Sequence, residues 1–152
     1  MALTILAVGK KHEDWVADGI ERYQKRLRAP FTVEWVLLPH SRFDGDKARQ
    51  EESQAILNRV KPADSIVLLD ERGKSLNSPA LTNELQRRLN NSENVVIVIG
   101  GAYGVTDELH NRAQFVWSLS PLVFPHQLVR LILAEQLYRA QQISAGGAYH
   151  HE

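Results

Sequence analysis

Five short runs of apolar, largely β-branched residues punctuate the chain: Leu3 to Val8, Phe31 to Leu38, Ser65 to Leu69, Asn94 to Ile99 and Phe115 to Leu119. Each has the length of a buried strand. Between them the apolar positions recur at helical spacing. Val16, Ile20, Tyr23 and Leu27 step by 4, 3 and 4 along a helix that opens near Asp14, and Leu81, Leu85 and Leu89 do the same after Ser78 and Pro79. That serine and proline suit an N-cap and a first helical position. Ala48, Ala55, Ile56 and Val60 mark a weaker helix, and Thr106, Asp107 and Glu108 open a brief one. Alternation of this kind predicts an α/β domain, a mostly parallel sheet of five to six strands flanked by helices. No repeat or linker-like stretch divides it, so residues 1–152 read as one domain.

The last helix, from Pro125 to Ile143, differs from the others. Leu128, Val129, Leu131, Ile132, Leu133, Ala134, Leu137, Tyr138, Ala140 and Ile143 spread over most of its circumference. A sheet covers one side of a helix only, so the remaining apolar surface is met either by neighbouring helices or by a second subunit.

Composition narrows the chemistry. A hydrophobic content of 43% over 152 residues supports a packed core, and 18 basic against 18 acidic side chains leave no long-range field of one sign. A polyanionic partner must therefore meet a local patch. The densest is near the N-terminus, where Lys10, Lys11, Arg22, Lys25, Arg26 and Arg28 form either a phosphate-contacting edge or a solvated helix face. With no cysteine, thiolate metal sites, disulfides and thiol nucleophiles are excluded. The six histidines show no metal-binding spacing, so no metal site is expected. Lys10 and Lys11 follow the apolar start, the wrong order for a secretory signal, and no run approaches the roughly 20 apolar residues of a membrane span. A soluble, cytoplasmic protein without membrane partners is the expectation.

Ligands of parallel sheets bind beyond the carboxyl ends of strands, which directs attention to the residues after Leu69, Ile99 and Leu119. Gly100, Gly101 and Gly104 follow the fourth strand either as a plain exit or as a cradle for close backbone approach. Ile99 stands where a dinucleotide fingerprint needs its first glycine, which disfavours NAD. Arg72, Gly73, Lys74 and Ser75 echo a P-loop whose leading glycine is replaced by Leu68, so a tight basic turn is expected there. Leu119 to Pro125 is an apolar loop, suited to a flat ligand such as adenine or simply tucked beneath its neighbours. Tyr149, His150 and His151 follow Gly146 and Gly147 as a short tail able to exchange protons or to stack on a base. Glu135 and Arg139, four apart, form an i,i+4 ion pair.

Taken together, IGGAYG, the segment SLSPLVFPHQLVRLILAEQLYRAQQI and the closing YHHE resemble one family along essentially the whole chain. It is the small bacterial SPOUT-class methyltransferases that act on N3 of a pseudouridine in large-subunit ribosomal RNA. The resemblance implies S-adenosylmethionine as cofactor, held by Leu69, Gly100, Leu119, Ser120, Pro121, Leu122, Val123 and Phe124. It also implies a SPOUT α/β-knot with a C-terminal trefoil knot, a homodimer whose partner subunit completes each site, and 23S ribosomal RNA in the assembled ribosome as substrate. Tyr149, His150 and Arg139 fall at its catalytic positions, and His151 on the substrate side, where Lys10 and Arg22 would add phosphate contacts. Ala148 stands where many relatives carry proline before the tail tyrosine. The competing classes are a nucleotide-dependent α/β enzyme and a non-catalytic ribosome-binding module.

Overall fold

The computed structural model describes residues 2–147 and Tyr149. Five strands, β1 (Ala2–Val8), β2 (Val33–Leu38), β3 (Ser65–Ser75), β4 (Asn94–Ile99) and β5 (Phe115–Ser118), form one sheet in the order β2-β1-β4-β3-β5. Every pairing is parallel. The helices are α1 (Asp14–Gln24), α2 (Gly45–Arg59), α3 (Ser78–Asn90), α4 (Asp107–Arg112) and α5 (His126–Ser144).

Alternating side chains of β1 divide the core in two, as the two-residue period of a strand requires. Leu3, Ile5 and Ala7 face a cluster with Leu81, Leu85 and Leu89 of α3 and Leu133, Leu137 and Ala140 of α5. Leu6 and Val8 face the other, with Ile56 of α2 and Leu109 of α4. Val16 and Ile20 of α1 pack on Ala134 of α5. Much of the last helix's apolar circumference is thus covered within the chain, while Leu128, Ile132 and Ile143 stay half-buried.

Two local expectations are corrected. Helix α3 is capped by Asn77 rather than Ser78: the Asn77 side chain accepts from the Ala80 N–H at 2.9 Å, and Ser78 Oγ instead bonds Gln136 at 2.8 Å. The presumed basic turn at 72–75 is the far half of β3. Leu69 pairs with Trp117, the chain bulges outward, and Lys74 pairs with Trp117 again. Arg72 clips the bulge by donating to Asp70 through its backbone N–H (2.9 Å) and through Nε and Nη2 (3.1 and 2.8 Å). Gly73 is required there, since a Cβ would lie 2.6 Å from the Val116 carbonyl oxygen.

Candidate functional site

The sheet order places the ends of β4, β3 and β5 side by side, and their exits converge on one cleft of about 700 Å³, part of it open to solvent. From β3 come Leu69, Asp70 and Glu71, and from β4 come Ile99, Gly100 and Gly101. The loop after β5 contributes Leu119, Ser120, Leu122, Val123 and Phe124, and the first turn of α5 adds His126 and Val129. Seven of the eight residues implied as cofactor contacts therefore line one cleft. Pro121, the eighth, is exposed and lies outside the lining.

Short polar ties shape the walls. Ser118 Oγ donates to the Ser120 carbonyl at 3.0 Å and Ser120 Oγ accepts from the Leu122 N–H at 3.0 Å, so the loop arches and holds Leu122 and Val123 68% and 80% exposed at the mouth. The Gly104 N–H donates to the Gly101 carbonyl at 3.1 Å, closing the glycine turn. Gly101 leaves no room for a side chain, because a Cβ would collide with the Glu52 carboxylate. Glu52 is buried; its Oε2 accepts from the Ser41 N–H at 2.9 Å, while Oε1 has no partner among the described residues.

One wall of the cleft carries the Asp70–Arg72 ion pair. The Arg72 hydrogen bond holds the Asp70 carboxyl below the usual range, against the opposing effect of burial, so Asp70 is an anion in the wall. Burial pushes the His126 imidazole down and the charge of Arg130 adds to this, while a hydrogen bond with the Gly100 backbone and the Glu52 carboxylate oppose it. Arg130 is itself fully buried and cross-links α5 to the end of β1. Its Nη2 donates to the carbonyls of Val8 (2.9 Å) and Gly9 (3.0 Å), and its Nη1 to that of Lys11 (3.2 Å). His126, Asp70 and Glu52 carry no motif in the sequence. The position of His126 one turn before Val129 and Arg130 was the available signal for it.

The remaining site residues lie elsewhere. Arg139 bonds Glu135 at 2.9 Å, as the i,i+4 spacing predicts, and the Tyr149 hydroxyl donates to the same carboxylate at 3.1 Å. The Tyr149 ring stacks against the Arg139 guanidinium at 4.9 Å and edge-on to Tyr138 at 4.9 Å. Burial, then the Glu135 charge and hydrogen bond, push the Tyr149 phenol up to about 12. Glu135 follows Val129, which lines the cleft, by six residues, about 9 Å along the helix, and neither Tyr149 nor Arg139 is among the lining residues. His150 and His151 lie outside the described residues. Lys10 is exposed just beyond β1, at the cleft's edge of the sheet, and Arg22 is exposed in the last turn of α1. Among the described residues no helix is long and apolar enough to cross a membrane, and no cluster of three acidic, histidine or cysteine side chains is disposed to hold a metal ion.

A ligand slot at three adjacent strand ends of a parallel sheet defines an α/β protein that binds a small molecule at its carboxyl edge. The chain belongs to the SPOUT methyltransferase family: residues 1–150 match the family model described as a predicted SPOUT methyltransferase. A protein of Hahella chejuensis (strain KCTC 2396) named Ribosomal RNA large subunit methyltransferase H is 37% identical over 156 residues, covering 100% of both chains. One of the same name from Dichelobacter nodosus (strain VCS1703A) is 40% identical over 154 residues, covering 99% of both. Among solved structures, TrmJ from Z. mobilis ZM4 shares the fold with a TM-score of 0.51 at 11% identity, the match covering 93% of this chain and 70% of that one.

Proposed function

We propose that this chain methylates N3 of a pseudouridine in 23S ribosomal RNA, using S-adenosylmethionine, as a cytoplasmic homodimer acting on the assembled ribosome. The names of the full-length relatives support ribosomal RNA as the substrate. The observation that carries the reading is the convergence of Leu69, Gly100, Leu119, Ser120, Leu122, Val123 and Phe124 on one cleft. The cleft fits the cofactor. Leu69, Leu119, Phe124 and Val129 offer apolar surface to an adenosine, and the glycine turn admits close main-chain approach. Bound there, S-adenosylmethionine supplies a methyl group made electrophilic by its sulfonium charge.

The chain's own residues then position the base and manage its proton. Tyr149 stays protonated at neutral pH, and on releasing Glu135 its hydroxyl would donate, with the Arg139 guanidinium, to negative charge developing on the uracil carbonyls. Loss of the N3 proton falls to a group of the tail, His150 being a candidate, with His151 on the substrate side. Because Arg139, on which the Tyr149 ring stacks, lies ten residues or about 15 Å along α5 beyond Val129 of the cleft lining, a second copy is the simplest source of the tail that meets each cleft. The C-terminal trefoil knot and the single domain of residues 1–152 implied by the resemblance belong to the same proposal.

The test is calorimetry with S-adenosylmethionine on the intact protein, followed by transfer of labelled methyl groups to ribosomes lacking the modification. Saturable binding and label at a pseudouridine of the large-subunit RNA are expected. Binding without label on that RNA removes the substrate assignment, and absence of binding removes the enzyme.

A further inference from the structure

The basic segment that runs from Lys10 to Arg28 in the sequence is divided in space by α1. Lys10 and Lys11 stand at the carboxyl edge of the sheet, whereas Arg22, Lys25 and Arg26 lie at the other end of an 11-residue helix, about 16 Å away along its axis. Residues 21–28 hold four cations and one acid, Glu21. Arg28 is committed to its own turn, where Nη1 donates to the carbonyls of Lys25 (3.1 Å) and Leu27 (3.0 Å). Arg22, Lys25 and Arg26 are exposed, and the ion pairs among the described residues all lie elsewhere.

Their backbone is held in place. Gln141 of α5 accepts from the Arg28 N–H at 2.6 Å and donates to the Arg26 carbonyl at 3.0 Å. Next to them runs a tyrosine ladder: the rings of Tyr23 and Tyr138 are 5.9 Å apart, and those of Tyr138 and Tyr149 are 4.9 Å apart. The neighbouring acid on α5, Glu135, is already occupied by Arg139 and Tyr149. Three like charges on an anchored segment, beside the half-buried rings of Tyr23 and Tyr138 and the exposed ring of Tyr149, complement a chain that alternates phosphates with unstacked bases.

We propose that Arg22, Lys25 and Arg26 form a docking surface for the phosphodiester backbone of single-stranded RNA, with the tyrosine ladder beside it for the bases. The proposal rests on the reading that the substrate is RNA. It adds a direction: the strand runs over the subunit that contributes the tail, not the one that contributes the cofactor cleft.

The test uses the intact protein and a fluorescent oligouridine of about 12 nucleotides, with the affinity measured as a function of salt. For single strands each phosphate contact contributes a slope of about 0.7 in log affinity against log salt, so the triple variant Arg22→Gln, Lys25→Gln, Arg26→Gln should flatten the slope by about 2. It should also bind more than about tenfold more weakly at low salt, a size consistent with losing several contacts. Calorimetric binding of S-adenosylmethionine and the sedimentation behaviour should not change, and Arg22→Lys with Arg26→Lys should keep the slope. An unchanged slope in the triple variant, or no oligouridine binding by the parent protein, overturns the proposal. So does dissociation of a dimer in the triple variant, which would assign the patch to contact between copies. If the parent binds RNA with the expected slope but takes up no S-adenosylmethionine, the cofactor reading fails while the patch stands.

Discussion

The hydroxyl of Tyr149 donates to the Glu135 carboxylate at 3.1 Å, the same carboxylate that Arg139 grips at 2.9 Å. Folding disfavours the phenolate, which would face that anion. The proton is therefore held more tightly in the folded chain than in the unfolded one, and the contact's contribution is complete below pH 10 and lost as the pH rises towards about 12. A tyrosinate absorbance titration should show a late step near that pH that is missing in Tyr149→Phe. The same variant should retain cofactor affinity and lose roughly 10²–10³-fold in methyl transfer, the usual scale for removing a charge-stabilising donor. Unaltered turnover would make the hydroxyl dispensable.

Gly100 should tolerate no long side chain if the cleft holds the cofactor. A Cβ there would lie 2.8 Å from Val105 Cγ1, a side-chain contact that can give, so Gly100→Arg should fold while its guanidinium fills the slot. We expect calorimetry to find no S-adenosylmethionine binding in a variant whose melting temperature is within a few degrees of the parent. A variant that binds normally would mean the ligand sits elsewhere.

His12 and His126 make the fold sensitive to mild acid. Burial, then the Arg130 charge, lowers His12; burial likewise leads for His126, reinforced by Arg130. Both are held more weakly protonated in the folded state, so the unfolded chain takes up more protons, and stability is full above about pH 6.5 and falls as the pH drops below it. Urea midpoints measured from pH 7.5 down to 5 should decline, and less steeply in His126→Asn. A parallel decline in the two proteins would remove His126 from this account.

Arg130→Met leaves the carbonyls of Val8 and Gly9 without their buried donor. Each lost partner costs about 1–3 kcal/mol, so denaturation should report roughly 3 kcal/mol of lost stability, only partly offset by removing a buried charge. A loss below about 0.5 kcal/mol, the size of an ordinary surface substitution, would mean that these bonds do not hold α5 to the end of β1.

What was legible followed from local pattern. β4 is Asn94–Ile99 in both readings because a β-branched run enclosed by polar residues has one interpretation. The outer half of β3 was hidden, since Asp70 to Ser75 is polar and reads as a turn, and only its distant pairing with Trp117 and Ser118 makes it a strand. The basic region reads as one patch in the sequence, although the helical spacing from Val16 to Leu27 already sets Arg22 most of a helix away from Lys10. The cleft's apolar loop was visible, but His126 and Glu52 were not: a lone buried polar residue leaves no period to detect. Pro121 shares the loop with the lining residues but is exposed outside the lining, a matter of loop geometry that its position in the sequence does not reveal.

β3 meets Trp117 twice, before and after the excursion at Asp70 to Gly73, so that wall of the slot is anchored at both feet. The opposite wall, the arch from Leu119 to Phe124, is braced internally by two serine hydrogen bonds and carries two apolar side chains out into water. Widening to admit a guest should therefore fall to the arch, which makes it the moving jaw of the site and β3 the fixed one.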